Sequence, residues 1–284
     1  MPELPEVESI CRKLNELTTG QTILGGQVLL ARSLAYPSSM QEFLNLIDNV
    51  DLKIWKRRGK YLLAELDSNK GWIVFHLRMT GQLLLTQQSE PLSKHTRLRL
   101  FCKNSYELRF IDIRTFGKVW VIPPSYNPED IITGLKKLGV EPFSNDFSIN
   151  YLIENLTRYK RNIKTILLDQ SIIAGIGNIY ADEALFRSNI HPETKGAELT
   201  LKQIKNLQKA ILEVLSKSID EGGTTFSDFL NITGNKGNYT EFAWVYGRNH
   251  SPCRICSTPI KRIKLNGRSS HFCPKCQQYS NLFK

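Results

Sequence analysis

The feature that most constrains this chain is a pair of Cys-x-x-Cys motifs near its end, Cys253-Arg254-Ile255-Cys256 and Cys273-Pro274-Lys275-Cys276, with sixteen residues between them. That spacing suits zinc. Four thiolates close a tetrahedron and leave no position for water, so the ion would be structural. The segments 259–265 and 269–272 read as the two strands of a hairpin between the pairs. Arg268 stands near its tip, where a guanidinium is a natural phosphate ligand. The other two cysteines, Cys11 and Cys102, are isolated. The pattern points to metal binding in a reducing compartment and not to a disulfide framework.

The net charge is +11, and from Phe242 to the end there is no Asp or Glu. The excess of positive charge lies in and around the cysteine hairpin, which favours a polyanion as partner. A basic tail can also bind lipid, but this one has no amphipathic apolar face. There is no signal-peptide apolar region and no run long enough to span a bilayer. The expectation is a soluble cytoplasmic protein.

The chain start, Met1-Pro2-Glu3-Leu4-Pro5-Glu6, is chemically unusual. Removal of Met1 would leave Pro2 as a terminal secondary amine with a pKa near ~8. Such an amine can attack a carbon at the aldehyde oxidation level and form an iminium, an electron sink. Glu3 beside it could serve as general acid or base. On these residues alone, a start codon before a proline-punctuated helix is the plainer reading.

Residues 5–17 read as an amphipathic helix, with Val7, Ile10, Cys11, Leu14 and Leu17 on one face and Glu6, Glu8, Arg12, Lys13 and Glu16 mostly opposite. From about 22 to 122 the chain reads as short alternating or apolar strands, with one further helix allowed at 40–47. This predicts a β-sandwich or barrel-like domain. Residues 123–148 are rich in proline and turns, with a short helix at 130–138, and read as a connection. Beyond 149 the pattern is helical: one helix over 151–168, a glycine-containing turn into a second at 179–188, and a long third helix opened by Thr200 and Gln203 and ended by Gly222-Gly223. Asn178 at a helix N-terminus could present N–H groups to phosphate. The polar, glycine-containing stretch 229–242 reads equally as a lid or a surface loop.

Taken together, these stretches closely resemble the formamidopyrimidine-DNA glycosylases, the helix–two-turn–helix group. The likeness is carried by Met1-Pro-Glu-Leu-Pro-Glu-Val-Glu8, Arg58-Gly-Lys-Tyr-Leu-Leu63, His76-Leu-Arg-Met-Thr-Gly81, Asp112-Ile-Arg-Thr-Phe-Gly117, Asp169, Gly175-Ile-Gly-Asn-Ile-Tyr-Ala-Asp-Glu-Ala-Leu-Phe186, Gly222-Gly-Thr-Thr225, Val245-Tyr-Gly-Arg248 and the cysteine pairs. They run in the family's order over nearly the whole chain.

The resemblance implies an α+β protein. An N-terminal β-sandwich flanked by helices (1–135) would be joined by a linker (136–148) to a helical helix–two-turn–helix domain with a lesion-capping loop (149–245) and a β-hairpin zinc finger (246–284). It implies a bifunctional base-excision-repair glycosylase and abasic-site lyase, monomeric and nucleoid-associated, acting on damaged double-stranded DNA. Such an enzyme removes 8-oxoguanine and formamidopyrimidines and nicks by β,δ-elimination. Pro2 matches the Schiff-base nucleophile, Glu3 its acid/base partner, Lys60 the β-elimination lysine and Arg268 the finger arginine of δ-elimination. Lys160 and Asn178 match phosphate-binding positions. His95 matches a DNA-binding histidine, although His95-Thr96-Arg97 departs from the common His-x-His form. Met79, Arg114 and Phe116 match the residues that fill the gap left by the flipped base, with Arg114 facing the orphaned cytosine. Cys253, Cys256, Cys273 and Cys276 match the zinc ligands. Two rivals remain: the endonuclease VIII-like branch, which prefers oxidised pyrimidines, and a non-catalytic zinc-finger module that binds damaged DNA.

Overall fold

A computed structural model describes residues 1–67, 69–223 and 241–279. The expected capping loop at 233–240 lies outside the described residues. The chain divides into two units. Met1–Lys137 with residues 221–223 form the first, and Leu138–Asp220 with residues from 241 onward form the second.

In the first unit, helix α1 (Leu4–Thr18) buries Val7, Ile10, Cys11 and Leu14 as its apolar spacing requires. Glu6 departs from the expected polar face, being only 1% exposed. Its carboxylate turns back to accept the Glu3 N–H at 2.8 Å, which caps the helix start. The strands are β1 (Thr22–Val28), β2 (Leu34–Tyr36), β3 (Asp48–Arg58), β4 (Tyr61–Leu66), β5 (Trp72–His76), β6 (Gly81–Gln87), β7 (Thr96–Cys102), β8 (Tyr106–Asp112) and β9 (Lys118–Ile122). Helix α2 (Met40–Leu46) interrupts them and is capped by Ser39, whose hydroxyl accepts the Glu42 N–H.

The strands join in the order β2-β9-β5-β4-β3-β1-β7-β8-β6. Strand β1 is the corner: residues 22–24 pair with β3, while most of its pairs with β7 lie beyond a register shift after Ile23. A sheet bent at one strand becomes two facing layers. Their inner faces share one core, with Trp55, Leu62, Phe75 and Val119 from one layer and Leu83, Leu98, Leu108 and Phe110 from the other. Phe75 and Phe110 meet with ring centroids 5.9 Å apart. Cys11 and Cys102 lie in buried positions, and burial pushes their thiols up to about 12 and about 11, so both are inert filler. The helix expected at 130–138 is instead two single turns, α3 (Pro128–Ile131) and α4 (Thr133–Lys136), separated by Ile132 in a non-helical conformation.

The second unit holds α5 (Ile149–Thr157), α6 (Ile163–Leu167), α7 (Asn178–Arg187) and α8 (Leu201–Asp220). The single helix expected over 151–168 is broken at 158–162. There the backbone trades the helical ladder for bonds to a neighbouring segment: Ala197 N–H to Tyr159 O, Gly196 N–H to Arg161 O, and Ile163 N–H to Thr194 O. Apolar periodicity continues through the break, so the sequence pattern does not reveal it. The unit ends in the hairpin β10 (Lys261–Leu265) and β11 (Arg268–Phe272), closed by Asn266-Gly267, both at positive φ. No described helix is long and apolar enough to cross a membrane.

Candidate functional site

The first unit buries its own chain start. Met1 is 48% exposed, Glu3 only 3%, and Pro2 is buried between them. Capping by Glu6 fixes the backbone at Glu3, so the terminus is held by the same bond that starts α1. Lys60, also buried, sits in the two-residue turn between β3 and β4. Arg57 ties that turn to the helix, bonding Glu8 of α1 at 2.9 Å and the Gly59 carbonyl at 3.1 Å. Burial opposes ionisation of Glu8, but the Arg57 and Arg12 guanidinium groups hold its carboxyl below the usual range. Beside this turn, His76 packs edge-on against Tyr61 at 4.5 Å. Burial, then the charges of Arg78 and Lys60, push its imidazole down to about 3. The neutral ring accepts the Arg78 N–H on Nδ1 at 3.1 Å.

Two exposed loops of the same unit carry Met79, Arg114 and Phe116. Met79 is 41% and Phe116 49% exposed. The Arg114 guanidinium lies over the Phe116 ring at 4.9 Å, so the two side chains project as a pair. His95 is half-buried, with its Nδ1 3.2 Å from Arg97 Nη2.

Lys160, Asn178 and Arg268 belong to the second unit. Lys160 is exposed in the break between α5 and α6. Asn178 opens α7. Its amide reaches Ser269 Oγ at 3.4 Å, and its Oδ1 is buried with no partner among the described residues. Arg268 is exposed at the first position of β11, on the rim of a cleft of about 260 Å³ lined also by Arg161, Lys164 and Asn266. The hairpin is fastened by a buried ion network that motif reading missed. Lys164 Nζ lies 2.6 Å from Asp182 Oδ1 and donates to the Ser269 carbonyl, while Asp182 Oδ2 accepts the His271 N–H at 2.9 Å. Next to Asp182, the wholly buried Glu183 accepts the N–H groups of Trp244, Val245 and Tyr246. Burial nevertheless pushes its carboxyl up. The available signal was two adjacent carboxylates, Asp182 and Glu183, inside the otherwise apolar and aromatic run 179–186.

The four cysteine sulfurs lie within 4.8 Å of one another. The separations Cys253–Cys276 at 3.9 Å and Cys256–Cys273 at 3.5 Å bracket the ~3.8 Å expected of a tetrahedral zinc–thiolate set. Backbone N–H groups of Ile255 and Cys276 point at Cys253 and Cys273 sulfur, as they do when the sulfur carries thiolate charge. Hydrogen bonds from Thr258 lower the Cys256 thiol to about 6, whereas burial raises Cys273 and Cys276. A divalent cation resolves that conflict by ionising all four. The set holds one structural zinc ion.

Comparison with known proteins matches residues 1–119 to the formamidopyrimidine-DNA glycosylase N-terminal domain, 138–229 to the H2TH domain of the same enzymes, and 251–278 to the zinc finger found in FPG and IleRS. The chain is 66% identical over 281 residues to the formamidopyrimidine-DNA glycosylase of Crocosphaera subtropica, covering 99% of each chain. It is 62% identical to that of Rippkaea orientalis, covering 98% of this chain and 100% of the relative. Among solved structures, a mutant Lactococcus lactis FPG in complex with a Fapy-dG containing DNA superposes with a TM-score of 0.90 at 33% identity, over 98% of this chain and 100% of that one. The MutM (FPG) protein of Thermus thermophilus superposes at 0.88 with 35% identity and the same coverage.

Proposed function

The chain belongs to the formamidopyrimidine-DNA glycosylase family of DNA-repair enzymes, and from that premise we propose that it is a bifunctional glycosylase and abasic-site lyase acting on oxidised purines through the amine of Pro2. The observation that carries this reading is the buried chain start. Pro2 and Glu3 are enclosed while Met1 stays exposed, so removing Met1 would free an amine that is already held in place.

In the proposed reaction the Pro2 nitrogen attacks C1′ of the flipped nucleotide. The bond from C1′ to the base breaks, and the base leaves with a proton. Glu3 donates to the ring oxygen as the sugar opens, and an iminium forms between Pro2 and C1′. The iminium acidifies the C2′ proton. Its loss, assisted by Lys60, expels the 3′ phosphate. A second elimination, with Arg268 on the phosphate, expels the 5′ phosphate. Lys160, Asn178 and His95 hold the backbone, and Met79, Arg114 and Phe116 fill the vacated stack. The zinc ion shapes the hairpin carrying Arg268 and takes no part in the chemistry. In this reading residues 1–135 are the catalytic domain, 136–148 the linker, 149–245 the DNA-binding domain and 246–284 the finger. The protein works as a monomer on nucleoid DNA in the cytoplasm.

The test is borohydride trapping on a duplex with 8-oxoguanine opposite cytosine, read by mass spectrometry of the adduct peptide. The expected outcome is an adduct on Pro2 that is absent from Pro2→Gly. Tight binding without any adduct would overturn the lyase reading. A second reading, oxidised-pyrimidine excision, is favoured by one observation. The wild-type Lactococcus lactis FPG, similar to this chain, is known in complex with an oxidised-pyrimidine containing DNA. The same trap with a pyrimidine lesion separates the two.

A further inference from the structure

Met79, Arg114, Phe116 and His95 stand on three separate turns, yet one buried residue bonds to all three, to two through its carboxylate and to the third through its backbone. Asp112, fully buried at the end of β8, accepts the Thr80 hydroxyl on Oδ1 at 2.5 Å and the Arg114 N–H on the same oxygen at 3.2 Å. Its Oδ2 accepts the Gly117 N–H at 2.7 Å. Its own N–H bonds the His95 carbonyl at 2.9 Å. Its carbonyl takes the Arg97 Nε–H at 2.8 Å, from the guanidinium that also reaches Lys94 O and His95. Thr80 closes the ring by accepting the Arg114 N–H at 3.0 Å.

The turns so joined are strained and tight. Arg78 and Thr115 hold positive φ without being glycine, which costs energy and persists only where surroundings impose it. A side chain at Gly117 would lie 2.5 Å from the Phe110 ring and 3.1 Å from Asp112 Oδ2, and one at Gly81 would lie 2.4 Å from the Leu77 carbonyl. The Arg114–Phe116 loop is thus packed against the carboxylate at Gly117, and the Met79 turn, closed tightly on Leu77, reaches the same carboxylate through Thr80.

We propose that Asp112 and Thr80 are positioning residues that lock the Met79 turn and the Arg114–Phe116 loop into one rigid probe, whose fixed geometry sets discrimination of the base opposite the lesion. This rests on the reading of Arg114 as the group facing the orphaned base. A loop held by a buried carboxylate presents Arg114 in one geometry, which a cytosine can satisfy and an adenine cannot. Freed from it, Arg114 adapts to either.

The experiment is single-turnover excision of 8-oxoguanine opposite cytosine and opposite adenine, with enzyme in excess, for the wild type, R114A, T80V, T80S and D112N. The readout is the ratio of the two rates, from which any loss of folded protein cancels. T80V and D112N should lower the cytosine preference by about fivefold, the order expected for loss of one buried hydrogen bond, and T80S should restore it. Equal loss on both duplexes, or no loss, in T80V and D112N while R114A lowers the ratio would overturn the positioning role. An unchanged ratio in R114A as well would overturn the reading of Arg114 itself, and the proposal with it.

Discussion

At the scale of single residues, the first unit holds two buried polar groups with testable roles, His76 and Glu6. His76 is held down at about 3 by burial and by Arg78 and Lys60, against an unfolded value near 6.5. Below pH ~6.5 the unfolded chain takes up a proton that the native ring refuses. The stability associated with neutral His76 is therefore complete above that pH and lost as pH falls toward 3, at up to about 1.4 kcal/mol per unit. His76→Gln should flatten the acid limb of a urea-midpoint-versus-pH profile between pH 6.5 and 4. A slope identical to wild type would contradict this. Glu6 holds the Glu3 N–H. Glu6→Ala should lower stability by about 1–2 kcal/mol through loss of the cap, and should reduce the borohydride adduct more than Glu6→Gln does. Neither residue was visible as functional in the sequence. Glu6 fell among the charges assigned to the solvent face, because periodicity reports the average face of a helix and not the side chain that folds back over its end.

At the scale of elements, legibility followed local signals. The hairpin around Arg268, helix α1 and the long α8 were readable from turn residues, caps and apolar spacing. The break between α5 and α6 was not, because the bonds that replace the ladder come from residues 194–197, far along the chain. The Lys164–Asp182–His271 network was equally hidden, since its members are distant in sequence and only folding makes them neighbours. Removing one partner strands buried charge, at a cost of roughly 3–5 kcal/mol. Lys164→Met should lower the melting temperature. In hydrogen exchange it should loosen β11 more than α8. Uniform destabilisation of both would mean that the network does not fasten the hairpin specifically.

For the whole molecule, the cysteine spacing and the family motifs made fold class and zinc site legible together, because both are written in short contiguous strings. Affinity for DNA is a collective property and should show in salt dependence. Lys160→Ala and Arg268→Ala should each lower the slope of log K against log salt by about one, as expected when one phosphate contact is lost. An unchanged slope would remove that residue from the phosphate-binding set. The anchors of the finger have a separate consequence for metal traffic. Glu183 grips the chain at residues 244–246, before the first cysteine pair, and Gln277, just after the second, bonds both Cys273 N–H and the Ile190 carbonyl. A finger stripped of zinc thus stays tethered at both ends, and its four sulfurs remain at high effective concentration for one another. Reloading is then the closing of a short loop and not a search by a free tail.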